Sequence, residues 1–190
     1  MQTQRVHGRN RFAFARVIRR MREPAGVVTA QLRVCLHANV VPHASGTQLM
    51  RVRQQTRWLA HAPDDESERD AVSSVNALRA HLNEALFIGA QEAELHFARY
   101  APGAFYRTHR DRFRDDDARL VSLVFYLNDE WPDDAGGELV LHADDDSGTV
   151  ITRVQPRAGT MVCFLSDRFP HEVLPANRER YSLTGWLRRA

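Results

Sequence analysis

The chain has 190 residues, 43% of them apolar, with two cysteines and a formal charge of +2. That length suits one domain with a core of its own. No apolar run approaches the roughly eighteen residues of a membrane helix, and Cys35 and Cys163 are too scattered for a disulfide framework. Charge is unevenly spread: residues 1–57 hold eleven arginines and one acid, Glu23, so any nucleic-acid-binding character would belong to that part alone. Sparse thiols and the lack of a secretory signal lead us to expect a soluble protein of the reducing cytoplasm, with no membrane and no nucleic-acid partner.

Residues 1–49 read as a basic N-terminal extension, partly disordered. Residues 11–21, RFAFARVIRRM, have the pattern of a short basic amphipathic helix, which Pro24 and Gly26 would stop. The extension has three readings. It is a loosely docked tail, an organelle-targeting or nucleic-acid-contacting arm, or the donor of a strand or helix to the main domain, with residues 27–36 the best piece.

Residues 50–190 read as the catalytic domain. LMRVRQQTRWLA suggests a strand or turn with Trp58 and Leu59 packed inward, and the acidic DDESE is read as a lead-in to a helix. That helix is predicted over 70–87, where Val72, Val75, Leu78, Leu82, Ala85 and Leu86 recur on one face. His81 on it has no partner at ligand spacing and reads as a partly exposed helix residue. Beyond Gly89, Gly, Pro and Asp clusters divide the chain into short strands near 93–100, 105–109, 120–127, 138–142, 149–154, 160–165, 171–174 and 180–187. The fold class is mainly β with supporting N-terminal helices. Eight such strands match a double-stranded β-helix, the jelly-roll or cupin-like barrel. The DDDSG at 144–148 lacks the spacing of a calcium loop and reads as a hairpin turn.

The stretch YAPGAFYRTHRD ends in His109 and Asp111, an imidazole and a carboxylate two residues apart, able to converge on one cation. The best third donor is His171. A set of two histidines and one carboxylate leaves adjacent positions open on a metal, which implies Fe(II). Nine positions on, RYSLTGWLRR alternates. Arg180, Ser182, Thr184 and Trp186 share one face, which we expect to look into the barrel, with Arg180 as an anion clamp.

These elements, together with YLN at 126–128, Gly136 and Gly137, and HEVLPA at 171–176, resemble the Fe(II)- and 2-oxoglutarate-dependent dioxygenases. The closest likeness is to the prolyl 4-hydroxylase branch, including the SM-20-like and hypoxia-sensing enzymes. The resemblance implies His109, Asp111 and His171 as metal ligands. It also implies Arg180, Tyr126, Thr184 and Tyr100 around 2-oxoglutarate, and Arg119, Tyr106 and Trp186 beside substrate. Gly136 and Gly137 are read as a turn without direct chemistry. The loop 112–119 would be a mobile finger near the target. Cofactors would be Fe(II), 2-oxoglutarate and O2, with ascorbate as reductant. The expected reaction decarboxylates 2-oxoglutarate to succinate and CO2 and hydroxylates a protein or peptide, at proline. The alternatives are a hydroxylase of free amino acids or metabolites with the same iron chemistry, and a low-turnover oxygen- or 2-oxoglutarate-sensing binding module.

Overall fold

The computed structural model describes residues 28–31, 54–112, 118–145 and 147–190. The helix read at 11–21 and the acidic run Asp115 to Asp117 lie outside the described residues.

Ten strands and one helix make up the described fold: β1 (Val28–Gln31), β2 (Gln54–Trp58), α1 (Glu66–Leu86), β3 (Glu92–Tyr100), β4 (Tyr106–His109), β5 (Arg119–Tyr126), β6 (Leu139–His142), β7 (Val150–Val154), β8 (Thr160–Leu165), β9 (His171–Val173) and β10 (Arg180–Arg188). They form a six-stranded sheet in the order β1-β8-β5-β10-β3-β2 and a four-stranded sheet in the order β4-β9-β6-β7. All strand pairs are antiparallel. From β3 to β10 the chain crosses between the two sheets repeatedly, which is the path of a double-stranded β-helix. The strands β1 and β2 extend the larger sheet at its two edges. Strand β1 falls within the 27–36 stretch.

The central strands β5 and β8 of the larger sheet serve two cores, one on each face. Outward, Leu95, Phe97, Leu123, Phe125, Leu183 and Leu187 pack with Ala71, Val75, Leu78 and Leu82 of α1. Those four helical positions, spaced four, three and four apart, form the stripe that covers the sheet. Inward, Tyr126, Val162 and Phe164 meet Leu139, Leu141, Val154 and Phe169 from the opposite sheet side of the barrel. The alternation in β10 holds, with Arg180 and Ser182 both buried.

Two readings of the sequence need correction. The helix begins inside DDESE, not after it: Asp65 caps it by accepting the Glu68 N–H at 3.0 Å, and Glu66 and Glu68 occupy the first turn. Acidic residues there complement the free N–H groups and the helix dipole, so the charge run is a start signal and not a lead-in. Trp58 does not pack fully inward, being 52% exposed. It leans on the His96 ring with centroids 4.7 Å apart, while Leu59 joins the outer core. The single described helix supplies the helical support of the sheet.

Candidate functional site

The three proposed ligands converge at one mouth of the barrel. His109 closes β4 and pairs directly across the ladder with His171, the first residue of β9. Between the Tyr106–Val173 and His109–His171 pairs, one strand advances three residues and the other two. Such a bulge re-aims the following side chain, and here it brings the two rings to 4.3 Å. Asp111 follows in the turn. Its Oδ1 lies 3.4 Å from His109 Nε2 and its Oδ2 3.6 Å from His171 Nε2. The potential ligand atoms of all three residues lie within 4.8 Å of one another.

Hydrogen bonding fixes which nitrogen each histidine offers. His109 Nδ1 lies 2.8 Å from the Arg107 carbonyl, and His171 Nδ1 lies 3.0 Å from the Phe169 carbonyl. Only a protonated nitrogen can bond a carbonyl oxygen, so each ring donates through Nδ1 and keeps the Nε2 lone pair for a cation. Burial holds the His171 pKa below the ordinary histidine value, with Asp111 opposing, so the ring stays neutral and able to ligate. Burial pushes Asp111 up, but its contacts with His109 and His171 and the hydrogen bond from Ser122 outweigh it and hold the carboxyl well below the usual range. Two imidazoles that offer Nε2 and an ionised carboxylate are the donor set that suits a divalent iron, so the residues fit the metal.

A second polar group lies in the barrel interior. Arg180 is 3% exposed, with its guanidinium 4.1 Å from the Tyr100 ring centroid and donating to the Gly137 carbonyl at 3.2 Å. Among the described residues no carboxylate forms an ion pair with it. The Tyr126 hydroxyl is buried without a hydrogen-bond partner. Burial pushes its pKa up to about 12, against the nearby Arg180 charge. A buried cation without a counter-ion and an orphaned hydroxyl are costly unless an anion joins them. Together they fit the distal carboxylate of 2-oxoglutarate. Thr184 is half-buried on the same strand face as Arg180, and its hydroxyl meets Ser182 Oγ at 3.1 Å.

Two motifs position Arg180. The Asn128 side chain accepts the Tyr181 N–H at 2.6 Å and donates to the Tyr181 and Pro156 carbonyls, clamping the first residues of β10. Gly136 and Gly137 both have positive φ, and a Cβ at Gly136 would fall 2.5 Å from the Pro175 carbonyl. The turn reading is therefore right but incomplete, since Gly137 also supplies the carbonyl that holds Arg180.

The residues read as lining the substrate side spread along the mouth. Tyr106 is 38% exposed and its ring lies 4.1 Å from His109. Arg119 opens β5, stacks 3.6 Å over the Trp186 ring and donates to the Asp111 carbonyl at 3.3 Å. Trp186 and His96 also stack, with centroids 5.5 Å apart, and each keeps a buried nitrogen without a partner. Sequence reasoning missed His96, because a histidine inside an alternating strand carries no ligand spacing. It also gave no role to Ser122 or Ser166. Ser122 donates to Asp111 at 2.6 Å, and Ser166 lies 2.8 Å from Ser122. A separate cavity of about 390 Å³ lies between α1 and the start of β3, lined by Trp58, Val72, Asn76 and Leu95 among others, and holds none of the triad.

Known proteins resemble this chain in sequence and in fold. Residues 95–188, which include the triad and Arg180, match the family described as the 2OG-Fe(II) oxygenase superfamily. A prolyl-4-hydroxylase of Pseudomonas putida, known from its crystal structure, is 38% identical with a TM-score of 0.78, the match covering 93% of this chain and 99% of that one. A Trichoplax adhaerens prolyl hydroxylase, solved with a peptide fragment of the hypoxia inducible factor oxygen degradation domain, shares the fold at a TM-score of 0.75 and 22% identity, over 98% of this chain and 93% of that one. Egl nine homolog 1 of Homo sapiens is 33% identical over 85 residues, which is 44% of this chain but only 20% of that protein's length.

Proposed function

The chain belongs to the 2OG-Fe(II) oxygenase superfamily, with prolyl hydroxylases among its relatives, and from that premise we propose that it hydroxylates proline in a protein or peptide. The observation that carries the reading is the pairing of two half-sites at one mouth. The barrel holds a His-Asp-His triad and also a buried arginine that has no carboxylate partner among the described residues. Residues 50–190 would hold this catalytic unit.

His109, Asp111 and His171 would hold Fe(II) through two Nε2 atoms and a carboxylate oxygen. When bound there, Fe(II), 2-oxoglutarate and O2 supply the oxidative decarboxylation of the co-substrate to succinate and CO2, coupled to insertion of one oxygen atom into a substrate C–H bond. The chain's own part is orientation. Arg180 and the Tyr126 hydroxyl clamp one carboxylate, and Thr184 adds a hydroxyl on the same strand face. The Tyr100 ring under the guanidinium keeps that clamp from swinging. Phe164 and Phe169 wall the interior with apolar surface and keep water from the reacting end. Tyr106, Arg119 and Trp186 at the mouth would meet the substrate. Ascorbate would keep the iron reduced, and a reducing cytoplasm would suit the buried thiol of Cys163. No helix among the described residues is long and apolar enough to cross a membrane.

The test is turnover with Fe(II), 2-oxoglutarate, ascorbate and a library of proline-containing peptides. Mass spectrometry reads the added oxygen and its position, beside the yield of succinate. We expect hydroxyproline and succinate in equal amounts, lost in His171→Ala. Arg180→Ala should raise the 2-oxoglutarate requirement at least tenfold, since a charge-assisted clamp is removed. Succinate formed with free amino acids and with no peptide would move the substrate class to small molecules.

A further inference from the structure

The carboxylate of Asp111 has two oxygens, and the protein treats them differently. Oδ2 accepts a hydrogen bond from Ser122 Oγ at 2.6 Å, the short distance of a hydroxyl bonding an ionised group. Ser122 Oγ also lies 2.8 Å from Ser166 Oγ. A serine hydroxyl carries one proton, and an ionised carboxylate can only accept. Ser122 therefore spends its proton on Asp111, and Ser166 must donate to Ser122. The chain of bonds runs one way, from Ser166 through Ser122 to Oδ2. Oδ1 has no hydroxyl donor; it lies 3.4 Å from His109 Nε2, and Oδ2 lies 3.6 Å from His171 Nε2.

Ser166 is completely buried, and its backbone ties the same region together. Its N–H donates to the Leu120 carbonyl at 3.1 Å, and its carbonyl accepts the Arg112 N–H at 3.2 Å. It thus joins three segments: the turn that carries Asp111, the start of β5, and the loop that runs to His171. Ser122 lies in β5 between Trp186 of β10 and Phe164 of β8. Both hydroxyls are in the dry interior, where no water competes for them.

We propose that the Ser166–Ser122 pair fixes the rotation of the Asp111 carboxylate, so that it meets the metal in one orientation set beforehand by the protein. This rests on the Fe(II) reading of the triad. A carboxylate free to turn would have to be ordered each time the metal binds. Held by Ser122, it is ordered beforehand. Ser122 and Ser166 are positioning residues: they act through Asp111 and touch no reacting atom.

The experiment titrates metal-free protein with Co(II), whose visible bands report both affinity and coordination number, using Ser122→Ala, Ser122→Thr and Ser166→Ala, with His171→Ala as control. S122A should bind Co(II) about 10–100-fold more weakly, the usual cost of losing such an outer partner, and its bands should shift in shape and intensity. S166A should move both in the same direction by less. S122T, which keeps the hydroxyl, should restore wild-type affinity and bands. Wild-type affinity and bands in S122A would overturn the proposal, as would S122T behaving like S122A. If S122A does not fold, S166A decides, and an unchanged spectrum there overturns it. Wild-type binding that persists in H171A would instead remove the triad itself.

Discussion

His96 shows how much a single buried side chain can set. It lies on the inner face of β3 between Trp58 and Trp186, where burial and the Arg119 charge, against Asp111, lower its pKa to about 4. A folded-state pKa below the unfolded one means that, as pH falls below the unfolded value near 6.5, the unfolded chain takes up a proton that the folded one refuses. Stability present above that pH is therefore lost progressively down to about 4. Between pH 7 and pH 5 this one group should cost about 2 kcal/mol. Urea unfolding of the wild type and His96→Phe at the two pH values checks it: the variant should lose about 2 kcal/mol less, and equal losses would show that His96 does not titrate this way. Its neutral ring also avoids adding a second positive charge beside Arg119.

At the scale of elements, α1 and β10 divide the work. The helix closes the outer face of the strands that carry Arg180 and Tyr126. Leu82 is fully buried there, and Leu82→Ala should destabilise the fold by about 2–5 kcal/mol while the 2-oxoglutarate requirement of the folded fraction stays unchanged. A shifted requirement would mean that the helix controls the clamp and not only the stability. Strand β10 needs Gly185 because β3 passes so close that a Cβ would fall 2.1 Å from the Glu94 carbonyl. That approach lets Arg180 and Thr184 share a sheet with Tyr100 and His96. The strands were legible in the sequence because alternation and Gly, Pro and Asp breaks are local. The start of α1 was less so, since DDESE has the composition of a loop and reveals its cap only through the Asp65–Glu68 bond. Ser166 could not be found that way. Its partner Ser122 lies forty-four residues away in sequence and reaches it only through the pairing of β5 with β8.

For the whole molecule, the barrel accounts for how four residues spread from position 109 to position 180 would serve one site. The smaller sheet brings His109 against His171, and the larger sheet brings Arg180 beside Tyr100 and near Tyr126. The triad and the clamp belong to different sheets and meet only because the sheets face each other. The metal and co-substrate chemistry was legible from motif order, because ligand types and the arginine are fixed by the chemistry they serve. The outer partners were not, because a serine or a glycine carbonyl leaves no distinctive mark in a sequence.

The most direct test is an anaerobic titration of the protein with Fe(II) and 2-oxoglutarate, watching for the visible charge-transfer band of the chelate, with His171→Ala and Arg180→Ala alongside. The account predicts a band in the wild type, none in His171→Ala, and in Arg180→Ala a band that needs at least tenfold more 2-oxoglutarate. Folded wild-type protein that gives no band, or a band that survives in His171→Ala, would contradict it.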